Sequence, residues 1–106
     1  MMKRSYIKKK HKEVDRGEIE KMYSFFMEVW KKRLHKSEVS GERISSPPSS
    51  GNFHHIFYKE AYPQFKFDED NLIILTLNEH SNSHGDMYRY EEINKRREIL
   101  KKKYNL

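Results

Sequence analysis

The chain has 106 residues, no cysteine, 36% charged side chains and a formal net charge of +6. That length bounds it to one domain with a modest core, and the cysteine count excludes disulfides and any thiolate metal site. No apolar run approaches the roughly 20 residues that cross a bilayer, and the basic start MMKRSYIKKKHK lacks the apolar stretch of a secretory signal, so an intracellular, cytoplasmic protein without a membrane partner is expected.

The charge is unevenly placed. Residues 1–12 carry six Lys/Arg and no acid, and residues 95–106 carry six against Glu98 alone. The segment between them has 10 basic and 15 acidic side chains. Two basic ends around a mildly acidic centre suit a phosphate backbone, because each Lys or Arg contact releases condensed counterions. Lysine-rich ends that only aid solubility are the plainer alternative.

In chain order, residues 1–14 form a basic arm and 15–106 a single domain. Asp15 as N-cap with Glu18 three residues on gives a reciprocal capping pattern. Ile19, Met22, Tyr23, Phe26, Val29, Trp30 and Leu34 then recur at helical spacing, predicting an amphipathic helix over 16–35. Its apolar stripe is core and carries no chemistry. Ser37–Ile44 places a glycine turn between short extended pieces, and Ser45–Asn52 is a loop by its prolines and serines. Phe53–Phe57 reads as a strand, residues 58–70 as a long connection, and Asn71–Thr76 as a buried strand. Asn78–His84 fits a short helix ended near Gly85. Tyr90–Lys103 reads as a final basic helix with Ile93, Arg97 and Leu100 facing inward. The class expected is α+β.

The informative constellation is His54-His55, Asn71, His80 and His84. Histidines four apart on a helix share one face. Adjacent strand residues point to opposite faces, so His54 and His55 do not easily bind one ion; one can ligate while the other takes a proton. An imidazole with a pKa near ~6.5 suits a base at neutral pH.

Over residues 37–90 the strand–loop–strand–helix order, with His54-His55-Ile56, Asn71-Leu72-Ile73-Ile74-Leu75 and His80-Ser81-Asn82-Ser83-His84, resembles the HNH endonucleases, the ββα-metal or His-Me finger nucleases. The resemblance implies a small ββα-metal core between an N-terminal amphipathic helix and a C-terminal helix. It makes His54, His80 and His84 the metal ligands, His55 the general base that activates water, and Asn71 the amide that holds the His55 segment. It further implies hydrolysis of phosphodiester bonds, with one divalent metal stabilising the scissile phosphate and the leaving oxygen. Three imidazoles favour Zn, Ni, Mn or Co, and Mg remains open because phosphate oxygens and waters could complete its shell.

One departure stands out. Many members frame this core with a zinc ribbon of four cysteines, whose positions here are Ser37, Ser40, Thr76 and Glu79. Hydroxyls and one carboxylate do not hold a structural zinc, so none is expected and packing has to replace that staple.

DNA, most simply double-stranded, is the partner implied. Arg43, Lys59, Lys66, Arg89, Lys95, Arg96, Lys101, Lys102 and Lys103, with the N-terminal arm, are the candidate backbone contacts. Arg89 is closest in sequence to the helix ligands. A compact form rich in Lys, Ile, Asn and Tyr is typical of HNH proteins carried by phages and mobile elements, and both monomer and homodimer are open. The competing reading is a non-catalytic nucleic-acid-binding accessory with a degenerate core.

Overall fold

The computed structural model of the protein describes the backbone of residues 2–106 and the side chains of residues 16–106. The described residues combine three α-helices with one two-stranded antiparallel sheet, a mixed helix-and-sheet architecture compatible with the α+β class. The order is α1 (Met2–Lys32), β1 (Phe53–His55), β2 (Leu72–Ile74), α2 (Leu77–Gly85) and α3 (Glu91–Tyr104). The chain divides into two compact units, Met1–Lys32 and Arg33–Leu106.

The first unit is α1. It begins at Met2, not at a cap on Asp15. Lysine and arginine are good helix formers, and no proline interrupts residues 2–32, so nothing stops the helix upstream. The side chains of residues 2–15, and with them the basic arm, His11 and the Asp15 cap, lie outside those described. Met22, Phe26, Val29 and Trp30 are buried at helical spacing. Ile19 and Tyr23, expected in the same stripe, are exposed, and Leu34 falls beyond the helix end and is exposed as well.

In the second unit, the stretch after α1 is pinned by Arg33, whose guanidinium donates to the carbonyls of Leu72 and Glu69 and to Glu38. Residues 36–43 close a small loop: a bridge joins Lys36 to Arg43, Ser37 N–H donates to Glu42 O, and Gly41 N–H donates to Ser37 O. Gly41 turns with φ 79°, a left-handed conformation that glycine adopts without steric cost.

The two strands are shorter than expected, three residues each, and pair Phe53 with Ile74, His54 with Ile73 and His55 with Leu72. The long connection accounts for the difference. Asn71 O takes the amide of Ile56 and Asn71 Oδ1 that of Phe57, so the chain turns out of the ladder after His55. Residues 58–71 include single 3-10 turns at Pro63–Phe65 and Glu69–Asn71. Both strands are buried throughout, as a nearly all-apolar β2 requires.

Ile56, Phe57, Ile73, Leu75, Ile93 and Leu100 form one buried cluster, with Val39, Tyr62, Tyr90 and Tyr104 packed against it. Each such side chain contributes about 1.5–3 kcal/mol by leaving water. The inward face of α3 is Ile93, Arg97 and Leu100, as the periodicity predicts. Its last turn reaches back to the long connection: the Tyr104 ring stacks on Phe65 at 3.5 Å, and its hydroxyl donates to Asp68.

Candidate metal centre

Three imidazoles meet between β1 and α2. Thr76 starts α2 with a capping box: its Oγ1 accepts from Glu79 N–H, and Glu79 Oε1 accepts from Thr76 N–H. The cap sets the helix phase, so His80 and His84 share one face, their rings 4.7 Å apart and nearly parallel. His54 enters from β1, edge-on to both, at 4.9 Å from His80 and 5.4 Å from His84. One nitrogen from each ring lies within 4.8 Å of the others.

The protonation pattern follows from the partners. His80 Nδ1 lies 2.5 Å from the carbonyl of Gly51. A carbonyl only accepts, so Nδ1 carries the hydrogen and the neutral ring's lone pair is on Nε2. That Nε2 lies 2.9 Å from His84 Nε2. With hydrogen on Nδ1, His80 Nε2 accepts from His84 Nε2–H. Moving the His84 hydrogen to its other nitrogen would turn both Nε2 atoms, with a His54 nitrogen close by, into a donor set that fits a borderline transition ion. Burial pushes the His54 pKa down to about 3, reinforced by His80, His84, His55 and the Arg97 cation. Burial also holds His80 below its ordinary value, against the opposing pull of the Gly51 carbonyl. Such rings stay neutral at neutral pH, the form that ligates.

His55, one residue on, points elsewhere. It is buried, and its Nε2 donates to the carbonyl of Lys66 at 2.9 Å, which places the lone pair of the neutral ring on Nδ1. Burial lowers its pKa, the Lys66 carbonyl opposes this, and the net shift is downward. Asn71 is fully buried; Oδ1 accepts from Phe57 N–H at 2.7 Å, and Nδ2 donates to the carbonyls of Phe57 and Phe65. Its amide thus ties the chain two residues past His55 to the connection that carries Lys66.

The cationic candidates divide. Arg43, Lys59, Arg89, Lys95, Lys101 and Lys102 are exposed. Lys101 pairs with Glu98, while Arg96 is held by Glu38 and Glu92. Lys103 bridges Asp68 and Asp70, and the Lys66 ammonium sits over the Phe67 ring.

Ser37, Ser40, Thr76 and Glu79 come together through hydrogen bonds. Ser37 Oγ donates to Glu79 Oε1 at 2.6 Å and accepts from the amides of Val39 and Ser40. Burial works against the Glu79 charge, but hydrogen bonds from Ser37, Ser40 and Thr76 outweigh it and hold the carboxyl below its ordinary value. Packing is the replacement expected for the absent thiolates; what the four positions form is a hydrogen-bonded polar cluster.

Sequence reasoning did not single out Tyr58, whose ring packs against His54 and His84. Its place three residues past His55 was the only available signal. Arg97 was assigned to the inward face without a chemical role. It is buried, donates to Asn94 and to the carbonyl of Met87, and leaves its Nε without a partner.

No family model, curated protein or solved structure matches this chain. Among the described residues, no helix is long and apolar enough to cross a membrane.

Proposed function

We propose that the protein is a metal-dependent endonuclease of the HNH type that hydrolyses phosphodiester bonds in DNA. The observation that carries this reading is the division between two adjacent histidines. His54 faces His80 and His84, whereas His55 is turned away and tied to the Lys66 carbonyl.

His54, His80 and His84 would hold one divalent ion, which when bound supplies a Lewis acid for a phosphate oxygen and the leaving oxygen. No carboxylate belongs to that ligand set, so the ion's charge stays uncancelled and suits an anionic substrate. His55 accepts the proton of the attacking water at Nδ1, because Nε2 is committed to Lys66 O. Its lowered pKa keeps it in the accepting form at neutral pH. Asn71 holds the backbone on which that ring is carried. Exposed Arg43, Lys59, Arg89, Lys95 and Lys102 would contact the phosphate backbone without reading sequence.

The test is cleavage of supercoiled plasmid DNA across Mg²⁺, Mn²⁺, Ni²⁺, Co²⁺ and Zn²⁺, with EDTA and His55→Ala as controls. Cleavage lost in both controls is expected, with a drop of about 10²–10⁴-fold for removal of the base. His55→Ala should keep its metal affinity, whereas His80→Ala and His84→Ala should lose it. Intact plasmid under every metal, with DNA binding retained, would leave a non-catalytic nucleic-acid-binding protein.

A further inference from the structure

Among the described residues, His80 is the ligand candidate whose second nitrogen is held by the backbone, and that backbone is itself tightly fixed. The Gly51 carbonyl sits in a 3-10 turn over Ser50–Asn52. Asn52 is buried and anchors the turn at both ends. Its Oδ1 accepts from Ser49 N–H and from the Ser49 hydroxyl, and its N–H donates to Ser49 O. Its Nδ2 donates to Leu75 O at 2.9 Å, and its own carbonyl accepts from Leu75 N–H at 2.9 Å. Leu75 lies between β2 and the Thr76 cap of α2, so the turn is clamped to the start of the helix that carries His80. The approach is close enough that a Cβ on Gly51 would lie 2.7 Å from Leu77 Cδ2.

We propose that Asn52 is a positioning residue for the metal centre: it fixes the Gly51 carbonyl that holds His80 with hydrogen on Nδ1 and its lone pair turned toward His84. The inference rests on the metal-site reading for its purpose, though not for its geometry. Free histidine favours hydrogen on Nε2, which would put a donor where a ligand is needed. A fixed carbonyl at Nδ1 reverses that preference before any ion arrives. Partners of this kind affect metal affinity by about 10–100-fold when removed.

Two measurements decide it. Long-range ¹H–¹⁵N correlation spectra of the metal-free protein, at a pH where His80 is neutral, should show His80 as the Nδ1–H tautomer. In Asn52→Ala that signature should give way to the Nε2–H form, and calorimetric affinity for Co²⁺ should fall by about 10–100-fold. Leu100→Ala, a core truncation in α3, should lower the melting temperature while leaving the tautomer and the Co²⁺ affinity unchanged. An Nε2–H signal in the unaltered protein would overturn the proposal. So would an Asn52→Ala protein with the original tautomer and affinity. If the unaltered protein binds no metal, the functional reading fails, while the tautomer still decides the role of Asn52.

Discussion

Asn71 illustrates how much a single buried amide can carry. Three of its side-chain bonds go to backbone groups of Phe57 and Phe65; those of Phe57 stay buried when the amide is removed, whereas Phe65 O still accepts from Asp68 N–H. Each stranded group costs about 1–3 kcal/mol. Asn71→Ala should therefore be strongly destabilised, and so should Asn71→Asp, which keeps the acceptor for Phe57 N–H but buries a carboxylate oxygen against two carbonyls; urea melts of both variants against the unaltered protein check this. The split between His54 and His55 was legible because strand side chains alternate, and His80 with His84 because a helix repeats every 3.6 residues. The Gly51 carbonyl was not legible. Every residue carries such a group, and nothing in the letters Ser-Gly-Asn marks which one will meet an imidazole.

At the level of elements, sequence periodicity located β1, β2, α2 and α3 to within a few residues, since apolar patterning and the Thr76 cap act locally. It misjudged where α1 begins, because a run of lysines reads as a solvated arm although lysine is a good helix former. It also could not reveal the Ser37–Glu79 bond, which spans 42 residues. That bond joins the Gly41 loop to the start of α2. In Ser37→Ala the amides of Val39 and Ser40 lose their acceptor and Glu79 loses its hydroxyl donor, at a cost of about 1–3 kcal/mol. Thermal unfolding of the metal-free protein should show that loss, and an unchanged melting temperature would mean the cluster contributes nothing to holding α2.

For the molecule as a whole, the buried histidines set the response to acid. In the unfolded chain they titrate near ~6.5; in the fold His54 is held at about 3, and His55 and His80 are also lowered. Below the unfolded value the unfolded state takes up protons that the folded state refuses, so stability is greatest above that value and falls with pH. The slope is about 1.4 kcal/mol per pH unit for each fully refused proton. Urea melts between pH 6.5 and 5, where carboxylates are still ionised, should show it, and a bound ion should steepen it. On the proposed nuclease reading, the net charge of +6 overstates the cation available to a phosphate backbone. Lys103 is already bridged to Asp68 and Asp70, so Lys103→Ala should leave the salt dependence of DNA binding nearly unchanged, whereas Lys102→Ala should flatten it by close to one counterion.

The polar cluster of Ser37, Ser40, Thr76 and Glu79 also separates being folded from being supplied. A domain fastened by thiolates unfolds under a chelator and is damaged by oxidants, so its abundance tracks zinc and redox state. Hydroxyls and a carboxylate respond to neither. On the proposed metal-site reading, the fold of this domain depends on neither zinc supply nor thiol redox state, and an ion at His54, His80 and His84 would act on protein that is already folded.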